Sequence, residues 1–324
     1  MNSRFNIIST FSGCGGSSLG YQMAGGKILL AIEWDDNAVE TYKLNFPDTP
    51  IYHGDIAKIS VDECLEITGL KVGELDILDG SPPCQGFSTA GKREFRDNRN
   101  QLFMEYARLL QGLQPKVFVM ENVSGMVKGK MKLIFAEIMR TLKGCGYDVS
   151  CRLMNAMYYN VPQSRERVIF IGIRKDLRIE PSHPKPQNRP MVVGDALKDI
   201  EKSIVPLFND SYAKLWEKVP IGGSAADIIG KGYNSCRKLD PTKPANTLPK
   251  TQTGHGFATI CHWKEKRAIN INEAKILHSF PINFQLVGKY SEQWARIGNS
   301  VPPNLMRAIA EHIRDNILNT GGET

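Results

Sequence analysis

One cysteine lies in a segment suited to presenting a reactive side chain. Cys84 follows two prolines in the run Gly-Ser-Pro-Pro-Cys-Gln-Gly-Phe-Ser, shortly after an apolar, strand-like run at residues 75–78. Proline fixes its own φ angle and pushes the preceding residue toward extended geometry, so a stiff backbone sets the direction of the thiol. A cysteine that only packs in a core needs no such support, and we therefore interpret Cys84 as a nucleophile.

An acidic residue is placed to act with this thiol. Glu121 begins the triplet Glu-Asn-Val after the apolar run 117–120. Because the carboxyl ends of parallel strands meet at one edge of a sheet, Glu121 and Cys84 should face one cleft. Such a pair suits attack on a pyrimidine ring, in which a thiolate adds to C6 while an acid protonates or hydrogen-bonds N3 and leaves C5 electron-rich. No histidine lies near Cys84 in the sequence, which disfavours a peptidase.

A glycine-rich loop predicts a ligand site after the first strand candidate. The run Phe-Ser-Gly-Cys-Gly-Gly at residues 11–16 precedes a helix that opens near Ser17. Its glycines permit a tight turn that brings backbone N–H groups to a ligand. The spacing does not match Gly-x-Gly-x-x-Gly, which disfavours a dinucleotide oxidoreductase and favours S-adenosylmethionine, a cofactor with ribose and adenine but no phosphates. The glycines concerned are Gly13, Gly15 and Gly16.

Two carboxylates strengthen the prediction of a nucleoside cofactor. Glu33, followed by Trp34, ends the second strand candidate, where a carboxylate can bind ribose hydroxyls. Asp55, followed by Ile56, ends the third candidate and can accept a hydrogen bond from an adenine amino group. In a parallel sheet both carboxylates lie at the same edge as the glycine-rich loop, so the three features predict one site.

Two arginines and a late turn complete the candidate site. Arg165 and Arg167 lie on one face of an extended segment and could fork onto a carbonyl oxygen or a phosphate, while Glu166 points the other way. The run Arg-Ile-Gly-Asn-Ser-Val-Pro-Pro at residues 296–303 places a tight turn before the last helix candidate. The N–H groups of that helix, with the side chain of Asn299, can meet a ligand carboxylate.

The positioning of these residues calls for an α/β fold. Short apolar runs that predict buried strands alternate with stretches of helical spacing, as is typical of a mostly parallel sheet with helices on both faces. The strand candidates are residues 5–9, 28–32, 75–78, 117–120 and 168–173, and the helix candidates are residues 36–44, 102–113, 132–142 and 272–279. A last helix is predicted after Pro302-Pro303, with one apolar face formed by Leu305, Met306, Ile309, Ile313 and Ile317.

A change of composition predicts a second domain. Four prolines fall between Pro181 and Pro190, and the stretch that follows, to about His262, has weak periodicity. We therefore assign residues 1–180 plus 268–324 to one domain and residues 181–267 to another. The second segment has 14 Lys and Arg against 8 Asp and Glu, so it carries +6 of the net charge of +7. A separate basic segment is typical of a protein that binds a polyanion.

The composition disfavours several classes of protein. The 324 residues are 41% hydrophobic, which suffices for a sizeable core, but no apolar run reaches the roughly 20 residues of a membrane span. The first ten residues lack the features of a signal peptide. Seven cysteines without a Cys-x-x-Cys pair, and the lack of His-Glu-x-x-His, favour neither a disulfide framework nor a metal site. We expect a cytoplasmic protein with no metal and no membrane association.

Five motifs, in order, resemble those of the C5-cytosine DNA methyltransferases. They are Phe-x-Gly-x-Gly-Gly, Pro-Pro-Cys-Gln, Glu-Asn-Val, Gln-x-Arg-x-Arg and Gly-Asn-Ser-Val-Pro-Pro, and the match runs from about residue 5 to residue 318. The resemblance implies a Rossmann-like S-adenosylmethionine domain, whose final helix folds back on the first strand, and an inserted, irregular, mainly β target-recognition domain. It also implies that Cys84 is the nucleophile, that Glu121 is the acid at N3, and that Arg165 and Arg167 orient the base and the Cys84 loop.

The resemblance also assigns binding residues. S-adenosylmethionine, with S-adenosylhomocysteine as the product, is expected to contact the glycines of the 11–16 loop together with Phe11, Glu33, Trp34, Asp55, Ile56, Pro83, Leu102, Asn299 and Ser300. The target cytosine must be flipped out of the duplex, and the polar segment 85–101 is suited to closing over it. Double-stranded DNA is expected to contact Gln85, Ser88, Lys92, Arg93, Lys231, Tyr233, Asn234, Arg237, Thr247, Lys250 and Gln252.

Two other functions share part of these features. A transfer RNA cytosine-5 methyltransferase of the same family has the same chemistry but no true recognition domain, so the basic segment 181–267 favours DNA. A non-catalytic DNA-binding module is disfavoured by the intact Cys84, Glu121 and Arg165. We expect a monomeric prokaryotic modification enzyme that associates with the nucleoid through DNA and needs no stable protein partner. By the habit of the family, a restriction endonuclease acting on the same site could accompany it.

Overall fold

Two compact units make up the chain. The computed structural model describes residues 5–83, 101–127, 132–186, 189–200, 205, 208–230, 236–252 and 260–319. Unit 1 comprises Met1–Met154, Glu166–Lys185 and Met306–Thr324, and unit 2 comprises Asn155–Arg165 and Pro186–Leu305. The two units are defined by backbone contacts, which do not show what either unit does. The assignment of residues 181–267 to target recognition therefore stays a prediction.

Unit 1 is built on a seven-stranded sheet with the order β3-β2-β1-β4-β5-β8-β6. The strands, in chain order, are β1 (Asn6–Thr10), β2 (Lys27–Glu33), β3 (Ile51–His53), β4 (Ile77–Gly80), β5 (Val117–Val123), β6 (Tyr147–Asn155) and β8 (Glu166–Arg174), and the short β7 (Gln163–Ser164) belongs to unit 2. Strands β1 to β5 are parallel, and β8 is antiparallel to β5. The strand order reverses at β1, which pairs with β2 on one side and β4 on the other, and ligands bind at such a point in open α/β sheets.

Both faces of the sheet are covered. Ile7 and Ile8 are neighbours on β1 and point to opposite faces, yet both are fully buried. The same holds for Val117 and Phe118 on β5. A strand that is buried on both faces needs apolar side chains at successive positions. A strand that is exposed on one face alternates apolar and polar residues instead. The predicted α/β class with a mostly parallel sheet is confirmed.

Five helices of unit 1 connect the strands. They are α1 (Gly16–Met23), α2 (Asp36–Asn45), α3 (Val61–Thr68), α4 (Gln101–Leu113) and α5 (Lys132–Gly144). The start of α2 is fixed by Asp35, whose side chain accepts a hydrogen bond from the Ala38 N–H, and α3 starts with a capping box between Ser60 and Glu63. Helices α3 to α5 bury their apolar faces in one core with β1, β2, β4, β5 and β8.

Unit 2 has short elements around two small cores. Its helices are α6 (Val193–Ala196), α7 (Asp210–Lys218), α8 (Ala226–Ile229), α9 (Ile271–Leu277) and α10 (Tyr290–Asn299), and its further strands are β9 (Arg237–Lys238), β10 (Ala245–Asn246) and β11 (Ile260–Cys261). Strand β10 pairs with β7, and β11 pairs with β9, both in parallel. One core includes Leu248, Leu277 and Trp294, and the other includes Tyr212 and Cys261.

The segment 181–267 is irregular, as expected, but not mainly β. Within its described residues, α6, α7 and α8 have 4, 9 and 4 residues, whereas β9, β10 and β11 have 2 each. The expectation of a mainly β segment is therefore wrong for the described part. Helix α7 buries only Tyr212 and Trp216, four positions apart, and so short an apolar pattern predicts no helix from the sequence.

The last helix returns the chain to unit 1. Helix α11 (Pro303–Ile313) is followed by a π-helical turn, Arg314–Leu318. All five apolar residues predicted for its inner face are buried. Arg314 donates a hydrogen bond from Nη1 to the carbonyl oxygen of Ala24, at 2.6 Å, and so ties this end of the chain to the end of α1. Among the described residues, no helix has the length and apolar character that crossing a bilayer requires.

Candidate active site

The segment that leads to Cys84 is held by a buried amide. Strand β4 ends at Gly80, and the structure describes the chain as far as Pro83, which is exposed. The side chain of Asn122 is almost fully buried, and its Nδ2 donates a hydrogen bond to the carbonyl oxygen of Pro82 at 3.0 Å. Asn122 therefore fixes the backbone two residues before Cys84. Cys84 itself, with Gln85, Ser88, Lys92 and Arg93, lies outside the described residues.

Glu121 forms an ion pair with Arg167. The Nε atom of Arg167 lies 2.6 Å from Oε1 of Glu121, and both side chains are largely buried. Glu121 is part of β5 rather than the residue that follows it, and β8 places Arg167 opposite Val123, two positions from Glu121. Residues at this diagonal spacing on antiparallel strands share one face of the sheet. The structure thus brings together two of the predicted catalytic residues, in a charge-assisted contact that orients the carboxyl group.

Arg165 has different partners. Its side chain is buried in unit 2, where Nη1 contacts the carbonyl oxygen of Leu248 at 3.3 Å and Nη2 donates to the carbonyl oxygens of Gly298, at 2.9 Å, and Ser300, at 3.0 Å. The strand is interrupted at Arg165, between β7 and β8. Of the two arginines, Arg165 binds carbonyl oxygens, one of the two kinds of partner expected from the sequence, whereas Arg167 binds the carboxyl group of Glu121.

The glycine-rich loop turns sharply after β1. Gly13 has φ 55° and Gly15 has φ 96°, both in the left-handed region that glycine favours. A Cβ atom on Gly15 would lie 2.2 Å from Cε2 of Phe46, so a side chain there would collide with the aromatic ring. At Gly13, by contrast, a Cβ atom would meet nothing within 4 Å. The loop is therefore closely packed at Gly15 and leaves open space at Gly13.

Glu33 ties this loop to the end of β2. Its side chain is 7% exposed, and it accepts hydrogen bonds from the backbone N–H groups of Gly13 (2.7 Å), Trp34 (2.9 Å) and Asp35 (3.0 Å). A carboxylate can accept about four hydrogen bonds. The three backbone N–H groups use three of these positions, which leaves one for a ligand hydroxyl. The indole of Trp34 is 75% exposed. An open aromatic face beside a carboxylate suits a nucleoside.

The third predicted binding segment follows β3. Asp55 is exposed, two residues beyond the end of the strand, and its Oδ1 accepts from the Ala57 N–H. Ile56 is buried, and Nη2 of Arg108 on α4 donates to the carbonyl oxygens of Ile56 (3.0 Å) and Ile59 (2.9 Å). Arg108 thus holds the segment in place. Leu102, also on α4, is half-buried against the core of unit 1.

A buried carboxyl group lies near the end of β4 in unit 1. Asp79 is the residue before the end of β4, and it accepts hydrogen bonds from the hydroxyl groups of Tyr21 (3.1 Å) and Ser9 (3.2 Å). Burial raises the pKa of Asp79 to about 7, although these hydrogen bonds act in the opposite direction. The side chain therefore changes its charge near neutral pH, one residue before the end of the strand that leads to Cys84.

The remaining predicted residues belong to unit 2. Asn299 is exposed at the last position of α10, whereas Ser300 is almost fully buried. Arg237 is half-buried, Lys250 is exposed, and Thr247 donates a hydrogen bond to the carbonyl oxygen of Ser164 at 2.8 Å. Lys231, Tyr233 and Asn234 lie outside the described residues.

Gln252 is placed to hold the backbone rather than to reach DNA. It is 5% exposed, and its amide both donates to the carbonyl oxygen of Ile260 and accepts from the Ile260 N–H, each at 3.1 Å. Its two polar ends are thus used inside unit 2. The predicted DNA contact of Gln252 does not fit this geometry, since the polar atoms of the side chain bind the backbone of Ile260.

Comparison with known proteins identifies the family. The family model for C-5 cytosine-specific DNA methylase matches residues 5–315. The chain belongs to this family. Type II methyltransferase M.Sau96I of Staphylococcus aureus is 35% identical over 96% of this chain and 76% of its own length, and M.NgoPII of Neisseria gonorrhoeae is 33% identical over 95% of both. As a cytosine-5 DNA methylase, the protein is an S-adenosylmethionine-dependent enzyme.

Solved structures support the fold of this cytosine-5 DNA methylase. An Escherichia coli prophage protein described as a DNA modification methyltransferase superimposes with a TM-score of 0.81 at 26% identity, over 97% of this chain and 99% of that one. The Dnmt2 methyltransferase of S. pombe has a TM-score of 0.67 at 17% identity, over 98% and 99% of the two chains, and shows the shared fold alone.

The sequence did not reveal all residues that shape the site of this methylase. Asn122 stands in the Glu-Asn-Val motif and Asp79 follows the apolar run 75–78, but their partners, Pro82 and Tyr21, lie 40 and 58 positions away. In the sequence, the only signal for Asn122 and Asp79 is a polar residue at the end of an apolar run. Within the described ranges, no group of three or more His, Cys, Asp or Glu residues could hold a metal ion.

Proposed function

We propose that this enzyme methylates C5 of a flipped cytosine in a specific duplex DNA sequence, as the modification enzyme of a restriction-modification system or as an orphan. The observation that carries the proposal is the Glu121–Arg167 pair. Glu121 is on β5, which pairs with β4, the strand that leads to Cys84, and Arg167 is on β8, which pairs with the other side of β5. The relatives named as Type II methyltransferases support the DNA substrate. In a restriction-modification system a separate endonuclease would cut the same sequence, whereas an orphan enzyme would have no such partner. In both cases the methylase would act as a monomer.

The thiol of Cys84 would begin the reaction. As a thiolate it adds to C6 of the cytosine, and the electron pair of the C5–C6 double bond moves into the ring toward N3. The carboxyl group of Glu121, which must carry a proton for this step, donates that proton or a hydrogen bond to N3 and so stabilises the charge that develops there. It takes the proton back when C5 gains the methyl group. The electron-rich C5 then takes up the methyl group. A base removes the proton from C5, the C5–C6 double bond forms again, and the thiolate of Cys84 leaves.

Arg167 would support this step by holding Glu121. A carboxyl group that must meet N3 within hydrogen-bond distance cannot be free to rotate, and the 2.6 Å contact fixes one of its oxygens. Asn122 would act in the same way on the other reactant, because its bond to Pro82 fixes the backbone close to Cys84. Both residues position reacting groups and need not touch the base.

The residues at the switch point of unit 1 fit S-adenosylmethionine, which supplies the methyl group when it is bound. Open space lies over Gly13, one acceptor position remains on Glu33, and the indole of Trp34 is exposed for stacking on adenine. Asp55 presents a carboxylate for the adenine amino group, next to the buried Ile56. These groups suit a nucleoside, and none of the four supplies a positive charge for a phosphate.

Expression in a host without cytosine methylation tests the proposal. Bisulfite sequencing of the host DNA should find 5-methylcytosine in one short sequence, and Cys84→Ala should abolish it while the protein still binds S-adenosylhomocysteine. Glu121→Gln should lower kcat by about 100-fold or more, the usual contribution of a general acid. With S-adenosylmethionine present, a duplex with 5-fluorocytosine at the target should become covalently attached to the wild-type chain and not to Cys84→Ala, because fluorine at C5 leaves no proton to remove after methyl transfer. Methylation of transfer RNA instead of DNA would contradict the proposed substrate.

A further inference from the structure

Two backbone carbonyls on either side of Asn299 are held from inside unit 2. Nη2 of Arg165 donates to the carbonyl oxygens of Gly298, at 2.9 Å, and Ser300, at 3.0 Å. The carbonyl oxygen of Ser300 also lies 2.9 Å from Nε2 of His278. Asn299, between these two residues, is exposed. The exposed residue is therefore carried by a turn whose flanking carbonyls are fixed.

A buried glutamine joins His278 to a second segment. Gln163 is fully buried, and its Oε1 accepts from the Leu248 N–H at 3.0 Å. Its Nε2 lies 3.1 Å from the carbonyl oxygen of Leu277 and 3.0 Å from Nδ1 of His278. His278 is also fully buried. A continuous set of hydrogen bonds thus runs from Leu248 through Gln163 and His278 to Ser300.

These contacts allow one assignment of the His278 protons. Leu248 offers an N–H, so the amide atom of Gln163 that meets it must be the oxygen, and the other amide atom is the NH₂ donor. A donor facing Nδ1 of His278 requires that Nδ1 carry no proton. The single proton of the neutral imidazole is then on Nε2, where it is donated to the carbonyl oxygen of Ser300. Every atom of the network is satisfied only in this tautomer.

We propose that His278, as the neutral Nε2–H tautomer, is a positioning residue for the methyl donor. It holds the carbonyl of Ser300 and, through it, the orientation of Asn299. The inference rests on the proposed function and on the prediction that Asn299 and Ser300 contact the methyl donor. His278 touches neither cofactor nor DNA in this role, and it acts through the backbone of the turn.

The packing of the turn explains why a single hydrogen bond matters there. A Cβ atom on Gly298 would lie 2.3 Å from the carbonyl oxygen of Pro249, so the two backbones approach as closely as glycine permits. The indole Nε1 of Trp294 donates to that same oxygen at 2.9 Å. A turn packed this closely keeps one position, and loss of the His278 donor would leave a buried carbonyl with one donor fewer.

Three substitutions of His278 separate its two contacts. His278→Gln places an amide NH₂ near the former Nε2 and keeps a donor for Ser300. His278→Asn is too short to reach Ser300 but keeps a polar atom near the former Nδ1, toward Gln163. His278→Leu removes both contacts at similar volume. Phe280→Leu is the matched control, because the Phe280 ring stacks on His278 at 5.9 Å between centroids and its loss destabilises the same core without removing the donor.

The experiment measures Kd for S-adenosylhomocysteine, Kd for duplex DNA, kcat, and thermal stability on the full chain. We expect His278→Leu and His278→Asn to raise Kd for S-adenosylhomocysteine by about fivefold, the value of one hydrogen bond of about 1 kcal/mol. We expect His278→Gln to recover most of that loss. Phe280→Leu should lower the melting temperature and leave Kd for S-adenosylhomocysteine unchanged, and Kd for DNA should change by less than about twofold in all four variants.

Three results would overturn the inference. In one, His278→Gln binds S-adenosylhomocysteine as weakly as His278→Leu does. In another, Phe280→Leu raises Kd for S-adenosylhomocysteine as much as His278→Leu does. Either result would show that His278 acts only through packing. The third is a long-range ¹H–¹⁵N spectrum of the wild-type protein that shows the proton on Nδ1. If wild-type protein failed to bind S-adenosylhomocysteine at all, the proposed function would fail instead, and the tautomer measured by NMR would still test the network.

Discussion

Nε of Arg167 and Oε1 of Glu121 lie 2.6 Å apart on antiparallel strands, and both side chains are largely removed from water. Removing one partner of such a pair leaves an unpaired buried charge, which costs about 3–5 kcal/mol, whereas replacing both by neutral groups costs much less. We expect Arg167→Gln to destabilise the protein strongly and Arg167→Gln/Glu121→Gln to regain a good part of the loss. Urea denaturation of the wild type, both single variants and the double variant measures this coupling.

An exposed ion pair is the control for this double-mutant cycle of Arg167 and Glu121. Arg307 and Glu311 on α11 form an i, i+4 pair at 2.8 Å in which both side chains are partly exposed. Their removal should change the free energy of unfolding by about 0.5 kcal/mol or less. Strictly additive effects of the Arg167 and Glu121 substitutions would show that the two charges do not support each other.

Asn122 should control the position of Cys84 more than the stability of the sheet. Asn122→Asp keeps the oxygen that accepts from the Val123 N–H but loses the donor to Pro82, and Asn122→Ala loses both. Because a displacement of about 1 Å at a reacting group can cost about 100-fold in rate, we expect kcat to fall by a larger factor than KM rises in both variants. Steady-state kinetics measure the split, with Asn45→Ala, which loses a similar amide–carbonyl bond on α2, as the control.

The sheet and the acidic site residues could be read from the sequence because their signals are local. Five strand candidates, each rich in apolar residues, correspond to β1, β2, β4, β5 and β8, and the candidate that ends at Asp55 corresponds to β3. Strand β6 was not predicted, since most of its residues are partly or fully exposed and it forms an edge of the sheet. The partners of buried polar residues could not be read either. His278 and Gln163, for example, are 115 positions apart, and only folding brings them together.

The buried carboxyl of Asp79 should make stability depend on pH. Its pKa is raised to about 7 in the folded chain, above its usual value of 3.8. Between these values the folded state binds the proton and the unfolded state does not, so the contribution of Asp79 to stability decreases as pH rises from about 4 to about 7 and is constant above that. The total change is on the order of a few kcal/mol.

Asp79→Asn removes this titration and leaves the other ionisable groups in place. As pH rises from about 5 to about 8, the free energy of unfolding of the wild type should therefore decrease relative to that of Asp79→Asn. Urea denaturation at a series of pH values in that range measures it. A difference that stays constant over the series would mean that Asp79 keeps an ordinary pKa despite its burial.

Trp34 should bind the methyl donor at little cost to stability. Its indole is 75% exposed, so Trp34→Ala removes few internal contacts. Stacking of a base on an aromatic side chain contributes about 1–3 kcal/mol, which predicts a rise in Kd for S-adenosylhomocysteine of roughly fivefold or more, with Trp34→Phe nearer to the wild type. Leu133→Ala, at a residue that is 70% exposed on α5, is the control and should leave Kd unchanged. Equal Kd values for all variants would show that the indole does not contact adenine.

Gln252 should support DNA binding from inside unit 2. Its two hydrogen bonds to the backbone of Ile260 hold residues 252 and 260 at a fixed distance. Residues 253–259, between them in the sequence, belong to the predicted recognition segment. Gln252→Ala should therefore weaken binding of the cognate duplex more than that of a non-cognate duplex, because base contacts need fixed geometry and phosphate contacts need little. Lys250→Ala, at an exposed residue, should instead weaken both duplexes alike and lower the salt dependence of binding by about one phosphate contact. Fluorescence anisotropy with both duplexes at several salt concentrations distinguishes these roles, and equal losses on the two duplexes for Gln252→Ala would count against a positioning role.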